Sequence, residues 1–308
     1  MAHFSGKSIN WQLYLQSIQE KDIRMLSRSI SLVENGVSGY EQLLEALPHD
    51  DETPIIGITG PPGAGKSTLT DALIGEYVRR GQRVAVLCID PSSAFHGGAL
   101  LGDRIRMSEW YTHPDVFIRS LAARGSLGGL HPGILEITDL LKAARFDCIL
   151  IETVGVGQNE IEIAGLADTT LVVLVPEAGD EIQTMKAGLM EIADIFVVNK
   201  SDRPDADLFV RTLRLMLSPA FHRPGRETAI VKTIASLKQG LGELMQKIAE
   251  SLGHQQVTEK KYRLLTERAF YLISKKRMKD VDKEEMNDKI ARLAAAGVFN
   301  LYKFVNTY

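Results

Sequence analysis

An α/β fold built on a mainly parallel sheet is predicted by two features of this sequence. Short apolar runs rich in Val, Ile and Leu alternate with segments of helical spacing, and such runs are typical of strands buried on both faces. Polar or glycine-rich motifs directly follow several of the runs, and parallel strands bring their carboxyl ends to one edge of the sheet. We therefore expect a ligand site at that edge. The runs are residues 55–58, 84–89, 148–151, 171–175 and 195–198.

A glycine-rich segment, GPPGAGKS at residues 60–67, follows the first run and fits the phosphate-binding pattern G-x-x-x-x-G-K-S/T. The glycines let backbone N–H groups face phosphate oxygens, and the helix predicted to follow adds the positive end of its dipole. We expect Lys66 to reach the β- and γ-phosphates and the Ser67 hydroxyl to bind Mg²⁺. The segment therefore predicts a P-loop for a nucleoside triphosphate, formed by Gly60, Pro61, Pro62, Gly63, Ala64, Gly65, Lys66, Ser67 and Thr68.

The motif N-K-x-D follows the run at residues 195–198 and supplies Asn199, Lys200 and Asp202. A carboxylate in this motif accepts two hydrogen bonds from guanine, through N1–H and the 2-amino group. Adenine offers no such pair of donors, so binding it would leave a buried carboxylate unpaired. The motif therefore predicts GTP and GDP, rather than ATP, as the bound nucleotides.

Two acidic residues close other strands of the predicted sheet. Asp90 ends the second run and Glu152 ends a later one, and either side chain is suited to hold Mg²⁺ through water or to orient the attacking water. Gly155 lies where a switch glycine senses the γ-phosphate, although the usual D-x-x-G begins here with Glu152. The alternative is that each carboxylate is a solvated cap at the end of a strand.

Helical patterns flank the predicted nucleotide-binding region, which we assign to residues 51–255. Apolar side chains recur at helical spacing within residues 1–50, and an amphipathic helical pattern fills residues 256–308. The 308-residue chain is long enough for a P-loop domain with an extension at each end. The C-terminal helices follow the last element of the predicted sheet and have little core left to cover; packing back on their own domain is one arrangement open to them.

The charge and hydropathy of the sequence argue against nucleic acid and a membrane as partners. The net charge is −3, and acidic residues directly follow the basic run at residues 275–279, so no nucleic-acid surface is expected. No apolar stretch is long enough to span a membrane, and the N-terminus lacks the layout of a signal peptide. The two cysteines, Cys88 and Cys148, lie in apolar runs and suit a reducing cytosol. We therefore expect a cytoplasmic protein without membrane contacts.

Four segments together resemble the MeaB-like G-protein chaperones. They are DPSS at residues 90–93, the segment 97–107, ETVGVGQ at 152–158 and NKSD at 199–202, and the likeness covers roughly residues 10 to 300. Glu152 in place of the usual Asp is that family's own pattern. The resemblance implies a GTPase that serves methylmalonyl-CoA mutase or a related adenosylcobalamin-dependent enzyme. It also implies helices packed on the G domain at the N-terminus and a C-terminal arm that forms a homodimer.

The same resemblance assigns further residues to the site. Asp90 and Asp103 would form an acidic pair near Mg²⁺ and the γ-phosphate, and Glu152 would be the Walker-B-like acid. Lys186, in a mobile loop at residues 177–186, would join the nucleotide when the mutase docks and neutralise charge on the transferred phosphoryl group. The alternative for Lys186 is a solvated lysine. The predicted catalytic residues are Lys66, Asp90 and Lys186, and the predicted metal site comprises Ser67, Asp90, Asp103 and Glu152.

The guanine-lining loop departs from the family pattern. Relatives read S-A-L or S-A-K, whereas this sequence has Ala235, Ser236, Leu237 and Lys238 in a shorter loop. We expect Ser236 and Leu237 to bring a backbone N–H towards the guanine O6.

Two other functions fit a P-loop protein of this kind. A GTPase that inserts a metal such as nickel usually carries clustered His or Cys ligands, but the seven histidines here are scattered. An ATP-driven kinase or transport ATPase is disfavoured by Asp202. The sequence alone does not distinguish cofactor loading, removal of damaged cofactor and protection of the mutase, nor does it identify the partner.

Overall fold

The computed structural model describes residues 9–48, 52–90, 104–122, 130–153, 163–176, 187–220, 228–253, 259–278 and 280–308. At residues 90, 104–106, 187–188, 218–220, 259–261, 264 and 275 the description covers the backbone alone. Two compact units divide the chain, Met1–Val257 and Thr258–Tyr308.

The first unit is built around a seven-stranded sheet, and each pair of neighbouring strands is parallel. The strands are β1 (Ile55–Thr59), β2 (Val84–Asp90), β3 (Val116–Ala122), β4 (Cys148–Glu152), β5 (Thr169–Leu174), β6 (Ile195–Val198) and β7 (Ala229–Lys232). Their spatial order is β3-β2-β4-β1-β5-β6-β7, which places β1 at the centre. The predicted α/β fold with a parallel sheet is confirmed. Sequence patterns identified the five inner strands but missed the edge strands β3 and β7.

Nine α-helices and two short 3-10 helices complete the described part of the first unit. The α-helices are α1 (Trp11–Gln19), α2 (Ile23–Glu34), α3 (Tyr40–Glu45), α4 (Lys66–Arg79), α5 (Ile134–Ala143), α6 (Ile163–Leu166), α7 (Ala187–Ile192), α8 (Ala206–Ala220) and α9 (Leu241–Gly253). The 3-10 helices are Arg104–Trp110 and Ala235–Leu237.

Helices cover the inner strands on both faces, which explains why these strands are apolar without alternation. On one face, α4 and α9 pack on side chains such as Ile56, Leu150 and Val173. On the other face, α7 and α8 pack on side chains such as Val172 and Phe196. Strand β1 is buried along its whole length, so the segment that follows it starts from a fixed position.

The N-terminal extension forms three helices that pack against α5. Asn10 and Asp22 cap α1 and α2 by accepting hydrogen bonds from backbone N–H groups in the first turn. Arg119 of edge strand β3 reaches the second helix, where it donates a 2.9 Å hydrogen bond to Ser31 Oγ and pairs with Glu34. The extension is therefore attached to the sheet edge by polar contacts as well as by apolar packing.

The second unit consists of three helices, α10 (Glu259–Arg277), α11 (Lys283–Ala295) and α12 (Leu301–Val305). Asp282 and Asn300 cap the latter two. Phe304 alone is buried among this unit's described side chains, and its ring contacts those of Phe299 and Tyr308. Large apolar side chains are exposed, with Phe270 at 69% and Tyr302 at 81%. A unit of this size with so little buried apolar surface lacks the core that independent stability requires.

Across the described ranges, none of the helices combines the length and the apolar character that crossing a bilayer requires.

Candidate functional site

The loop between β1 and α4 is shaped by two glycines that have no room for a side chain. At Gly60, where φ is 137°, an added Cβ would lie 2.2 Å from the carbonyl oxygen of Val173. At Gly65, where φ is 88°, it would lie 2.4 Å from Nδ2 of Asn199. Both positions therefore combine a backbone conformation that favours glycine with close approach to a neighbouring strand end. The P-loop sequence folds into a compact turn at the carboxyl edge of the sheet.

Lys66 begins α4 and is buried, with 7% of its surface exposed. Its Nζ donates to the carbonyl oxygens of Gly60 and Pro61, at 2.8 and 3.0 Å. Gly65 caps the helix without a side-chain hydrogen bond, so no side chain covers the first backbone N–H groups from that position. A buried cation beside the start of a 14-residue helix is a suitable environment for phosphate oxygens.

The side chains of Ser67 and Glu152 are in direct contact next to the P-loop. The Ser67 hydroxyl donates to Oε1 of Glu152 at 2.6 Å, and the Thr70 hydroxyl lies 2.9 Å from Oε2. Ser67 and Glu152 are 7% and 4% exposed, so little water screens the carboxylate charge. Two oxygen ligands, one of them anionic, form a donor set that fits Mg²⁺ in the presence of phosphate.

Asn199 joins three segments of the site and is 2% exposed. Its Nδ2 donates to the carbonyl oxygen of Ala64 in the P-loop, at 3.0 Å. Its Oδ1 accepts from the Thr233 hydroxyl at 3.2 Å and from the backbone N–H of Ala235 at 3.1 Å. The phosphate loop and the segment that contains Ser236 are therefore connected through one side chain, although 135 residues separate Asn199 from Ala64.

The remaining residues of the N-K-x-D segment lie at the surface beside it. Lys200 adopts φ 53° and donates from Nζ to the carbonyl oxygen of Gly63, at 2.8 Å. Asp202 is exposed, as are Ser236 and Leu237 in the short 3-10 helix after β7. The backbone N–H of Ser201 donates to the carbonyl oxygen of Thr233, which keeps the two loops adjacent. This arrangement leaves the Asp202 carboxylate accessible to a base.

Several predicted site residues fall outside the described part of the structure. Asp103, Gly155 and Lys186 lie beyond the described residues, as does most of the segment at residues 97–107 that resembles the family. The backbone of Asp90 ends β2 opposite Ala122 on β3, but its side chain is not described. The structure thus brings together the P-loop, Glu152, the N-K-x-D segment and the Ser236 loop at one edge of the sheet.

Three threonines of the site were not predicted as site residues from the sequence. Thr70 contacts Glu152, Thr233 contacts Asn199, and the Thr153 hydroxyl donates to Thr59 Oγ1 at 2.9 Å. A usable signal existed for Thr70, because residues three apart on a helix share a face and Ser67 lies three positions earlier. The other two contacts join distant segments and leave no local pattern.

Two buried groups with raised pKa values lie at the end of the strands that is opposite to the nucleotide site. Burial raises the pKa of the Cys148 thiol, at the start of β4, to about 12. Burial is also the main reason that the pKa of the Tyr77 phenol on α4 lies well above its usual value, and the neighbouring Cys148 raises it further. Both groups therefore stay neutral at physiological pH.

Three proteins show the likeness of this chain to known sequences and structures. A Pyrococcus horikoshii protein named as a GTPase is 48% identical over 240 residues, which is 77% of this chain and 76% of that protein. The Escherichia coli GTPase ArgK is 35% identical over 77% of this chain and 74% of its own length. A solved structure described as a LAO/AO transport system kinase shares the fold, with a TM-score of 0.68, 22% identity and 98% coverage of both chains.

The fold and the site define a P-loop GTPase, in which a phosphate loop follows the central strand and a guanine motif follows β6. The chain belongs to the MeaB family. The family's model, described as methylmalonyl Co-A mutase-associated GTPase MeaB, matches residues 26–290. A Caenorhabditis elegans protein named methylmalonic aciduria type A homolog, mitochondrial, is 47% identical over 148 residues, or 48% of this chain and 37% of that protein. The sequence resemblance to this family is confirmed.

Proposed function

We propose that this GTPase is a chaperone of an adenosylcobalamin-dependent acyl-CoA mutase, with methylmalonyl-CoA mutase as the first candidate. The observation that carries the proposal is the match of residues 26–290 to a family described by its association with that mutase. In this role, the nucleotide state of the GTPase would control cofactor loading or protection of the partner. The two buried thiols, Cys88 and Cys148, support a cytoplasmic location.

The described residues have distinct tasks in GTP hydrolysis under this proposal. Lys66 would exchange its two carbonyl partners for the β- and γ-phosphate oxygens, and the N–H groups at the start of α4 would bind the same oxygens. Asp202 would accept hydrogen bonds from the guanine edge. Ser67 and Glu152 would hold Mg²⁺, which neutralises charge on the β- and γ-phosphates when bound.

Four residues that the structure does not describe in full complete the proposed site. Asp90 and Asp103 would serve the metal and the attacking water, and Gly155 would sense the γ-phosphate through its backbone N–H. Lys186 would enter the site when the mutase docks and stabilise the charge of the transferred phosphoryl group. Hydrolysis would therefore be slow for the chaperone alone and faster in the complex.

The apolar surface of the second unit supports a homodimer. Phe270, Ile273 and Tyr302 are more than half exposed, and a second copy would remove such side chains from water. Light scattering of the purified protein should give the mass of two chains, and Phe270→Asp should shift it towards one. The matched control is Leu208→Asp, because Leu208 is 61% exposed on α8 of the first unit. An unchanged mass in Phe270→Asp would remove this surface from the proposed interface.

The mutase partnership is tested by measuring GTP turnover with and without a panel of purified adenosylcobalamin-dependent mutases, with ATP as the control nucleotide. Stimulation by one mutase, absent for ATP, would identify the partner. Lys186→Ala should then abolish the stimulation and leave the basal rate unchanged. Turnover that is specific for GTP yet indifferent to every mutase would contradict the proposal and favour metal insertion instead.

A further inference from the structure

Thr70 lies inside the nucleotide site although it belongs to neither nucleotide motif. It is fully buried on α4, one helical turn after Lys66. Its hydroxyl lies 2.9 Å from Oε2 of Glu152 and 3.0 Å from the carbonyl oxygen of Lys66. Thr70 therefore links the P-loop helix to the acidic end of β4, across 82 residues of sequence.

The Thr70 hydroxyl has one proton and two candidate acceptors. The carbonyl of Lys66 lies within α4, where the backbone N–H one turn later is its ordinary donor. Carboxylate oxygens accept hydrogen bonds, and hydrogen bonds to charged acceptors are roughly twice as strong as bonds to neutral ones. The proton of Thr70 therefore belongs with Glu152, and the contact with Lys66 is secondary.

The two hydroxyls on α4 hold the two oxygens of Glu152 in different ways. Ser67 approaches Oε1 at 2.6 Å, but in the proposed site it is also a metal ligand. Thr70 lies beside Oε2 and is not a metal ligand in the proposed site. Because Glu152 is only 4% exposed, bulk water cannot readily replace a lost donor. Thr70 therefore contributes to the orientation of the carboxylate through Oε2, also when the oxygen of Ser67 is bound to a cation.

We propose that Thr70 is a positioning residue of the magnesium site: it holds Oε2 of Glu152, so that Oε1 stays directed towards Ser67 and the cation. This inference rests on the proposed function, in which Ser67 and Glu152 hold Mg²⁺. Groups that orient metal-binding side chains without touching the metal commonly change metal affinity by about 10- to 100-fold when they are removed.

The test measures how Mg²⁺ affects the release of a bound fluorescent GDP analogue from the protein. This readout does not depend on GTP hydrolysis. Release of the analogue is followed at increasing Mg²⁺ concentrations in the wild type, Thr70→Val and Thr70→Ser. Thr70→Val keeps the shape but loses the hydroxyl, and the Mg²⁺ concentration for half-maximal retention should rise by about 10-fold or more. Thr70→Ser keeps the hydroxyl and should remain near the wild type. Affinity for GDP in EDTA should be the same in all three.

A substitution at a second buried threonine is the control that distinguishes a loss of metal positioning from a general loss of packing. Thr169 is also fully buried and donates to a side chain, Ser251 Oγ at 3.0 Å, but it begins β5 at the far end of the sheet. Thr169→Val should lower the melting temperature without changing the Mg²⁺ dependence. If Thr70→Val is too poorly folded to measure, Thr70→Ala removes the same hydroxyl with less crowding.

The outcomes distinguish this inference from the proposed function. Wild-type Mg²⁺ dependence in Thr70→Val, or equal shifts in Thr70→Val and Thr169→Val, would overturn the role of Thr70 and leave the metal site intact. Glu152→Gln tests the site itself. If retention of GDP in the wild type is indifferent to Mg²⁺, or if Glu152→Gln matches the wild type, the proposed metal site fails and the inference about Thr70 falls with it.

Discussion

The side-chain amide of Asn199 donates a 3.0 Å hydrogen bond to the carbonyl oxygen of Ala64, which fixes the loop after β6 against the P-loop. The same side chain accepts from Thr233 and from the N–H of Ala235. Its neighbour Asp202, in contrast, is exposed. The N-K-x-D segment therefore combines a buried structural residue with an accessible residue that can read the base.

We expect Asp202→Asn to alter nucleotide choice without altering the stability of the protein in the absence of nucleotide. The substitution removes the anionic acceptor for two guanine donors, so affinity for GTP should fall by about 100-fold or more and affinity for XTP should rise. Competition binding with GTP, XTP and ATP measures this. Asn199→Ala is the contrasting variant, because it should lower the free energy of unfolding by about 2 to 3 kcal/mol in the absence of nucleotide. A retained preference for GTP over XTP in Asp202→Asn would contradict the assignment.

Lys66→Ala should reduce GTP turnover by about 100-fold or more, because it removes the one described cation that lies buried at the start of α4. Binding of GTP should weaken more than binding of guanosine, since the lysine contacts phosphate alone. Single-turnover hydrolysis and equilibrium binding give the two quantities. Lys247→Ala on α9 is the control, because Lys247 is partly exposed and pairs with Glu250 in the same helix. Wild-type turnover in Lys66→Ala would exclude the proposed role.

Gly65→Ala should destabilise the protein by about 2 kcal/mol more than Gly81→Ala does. Both glycines have positive φ, at 88° and 71°, so both substitutions introduce backbone strain. A Cβ at Gly65 would also lie 2.4 Å from Nδ2 of Asn199, whereas no atom lies within 4 Å of one at Gly81. Urea denaturation measures the difference, and equal losses would show that the approach to Asn199 imposes no constraint.

Stability at alkaline pH should depend on Cys148. Its thiol has a pKa of about 12 in the folded protein and an ordinary value of 9.0, so the unfolded chain loses its proton first as the pH rises. The contribution is fully present below pH 9.0 and declines towards pH 12, by about 1.4 kcal/mol per pH unit. In Cys148→Ala, the free energy of unfolding should therefore fall less steeply between pH 9.5 and about 11. Urea titrations at each pH test this, and an unchanged slope would refute it.

Sequence patterns could predict the parts of this fold that depend on local chemistry. The P-loop and the N-K-x-D motif were visible because each requires particular residues at fixed spacing after a buried strand. Strand β3 was missed because Arg119 interrupts its apolar pattern, and that arginine is accommodated by Glu34 of a helix far away in sequence. Strand β7 has only four residues, two of them partly buried and one exposed. Contacts such as Thr233 with Asn199 arise from the assembled sheet, so no local pattern contains them.

The central position of β1 has a consequence for how the chain is made. Strand β1 pairs with β4 and β5, so about ninety further residues must be synthesised before its first partner exists. At typical rates of translation this delay is roughly 5 to 20 s. During that interval the apolar strand that carries the phosphate loop has no sheet to join, and transiently exposed apolar strands of this kind are prone to aggregate. The phosphate loop is therefore synthesised early, but it can join the guanine motif after β6 in one site only after most of the sheet has been translated.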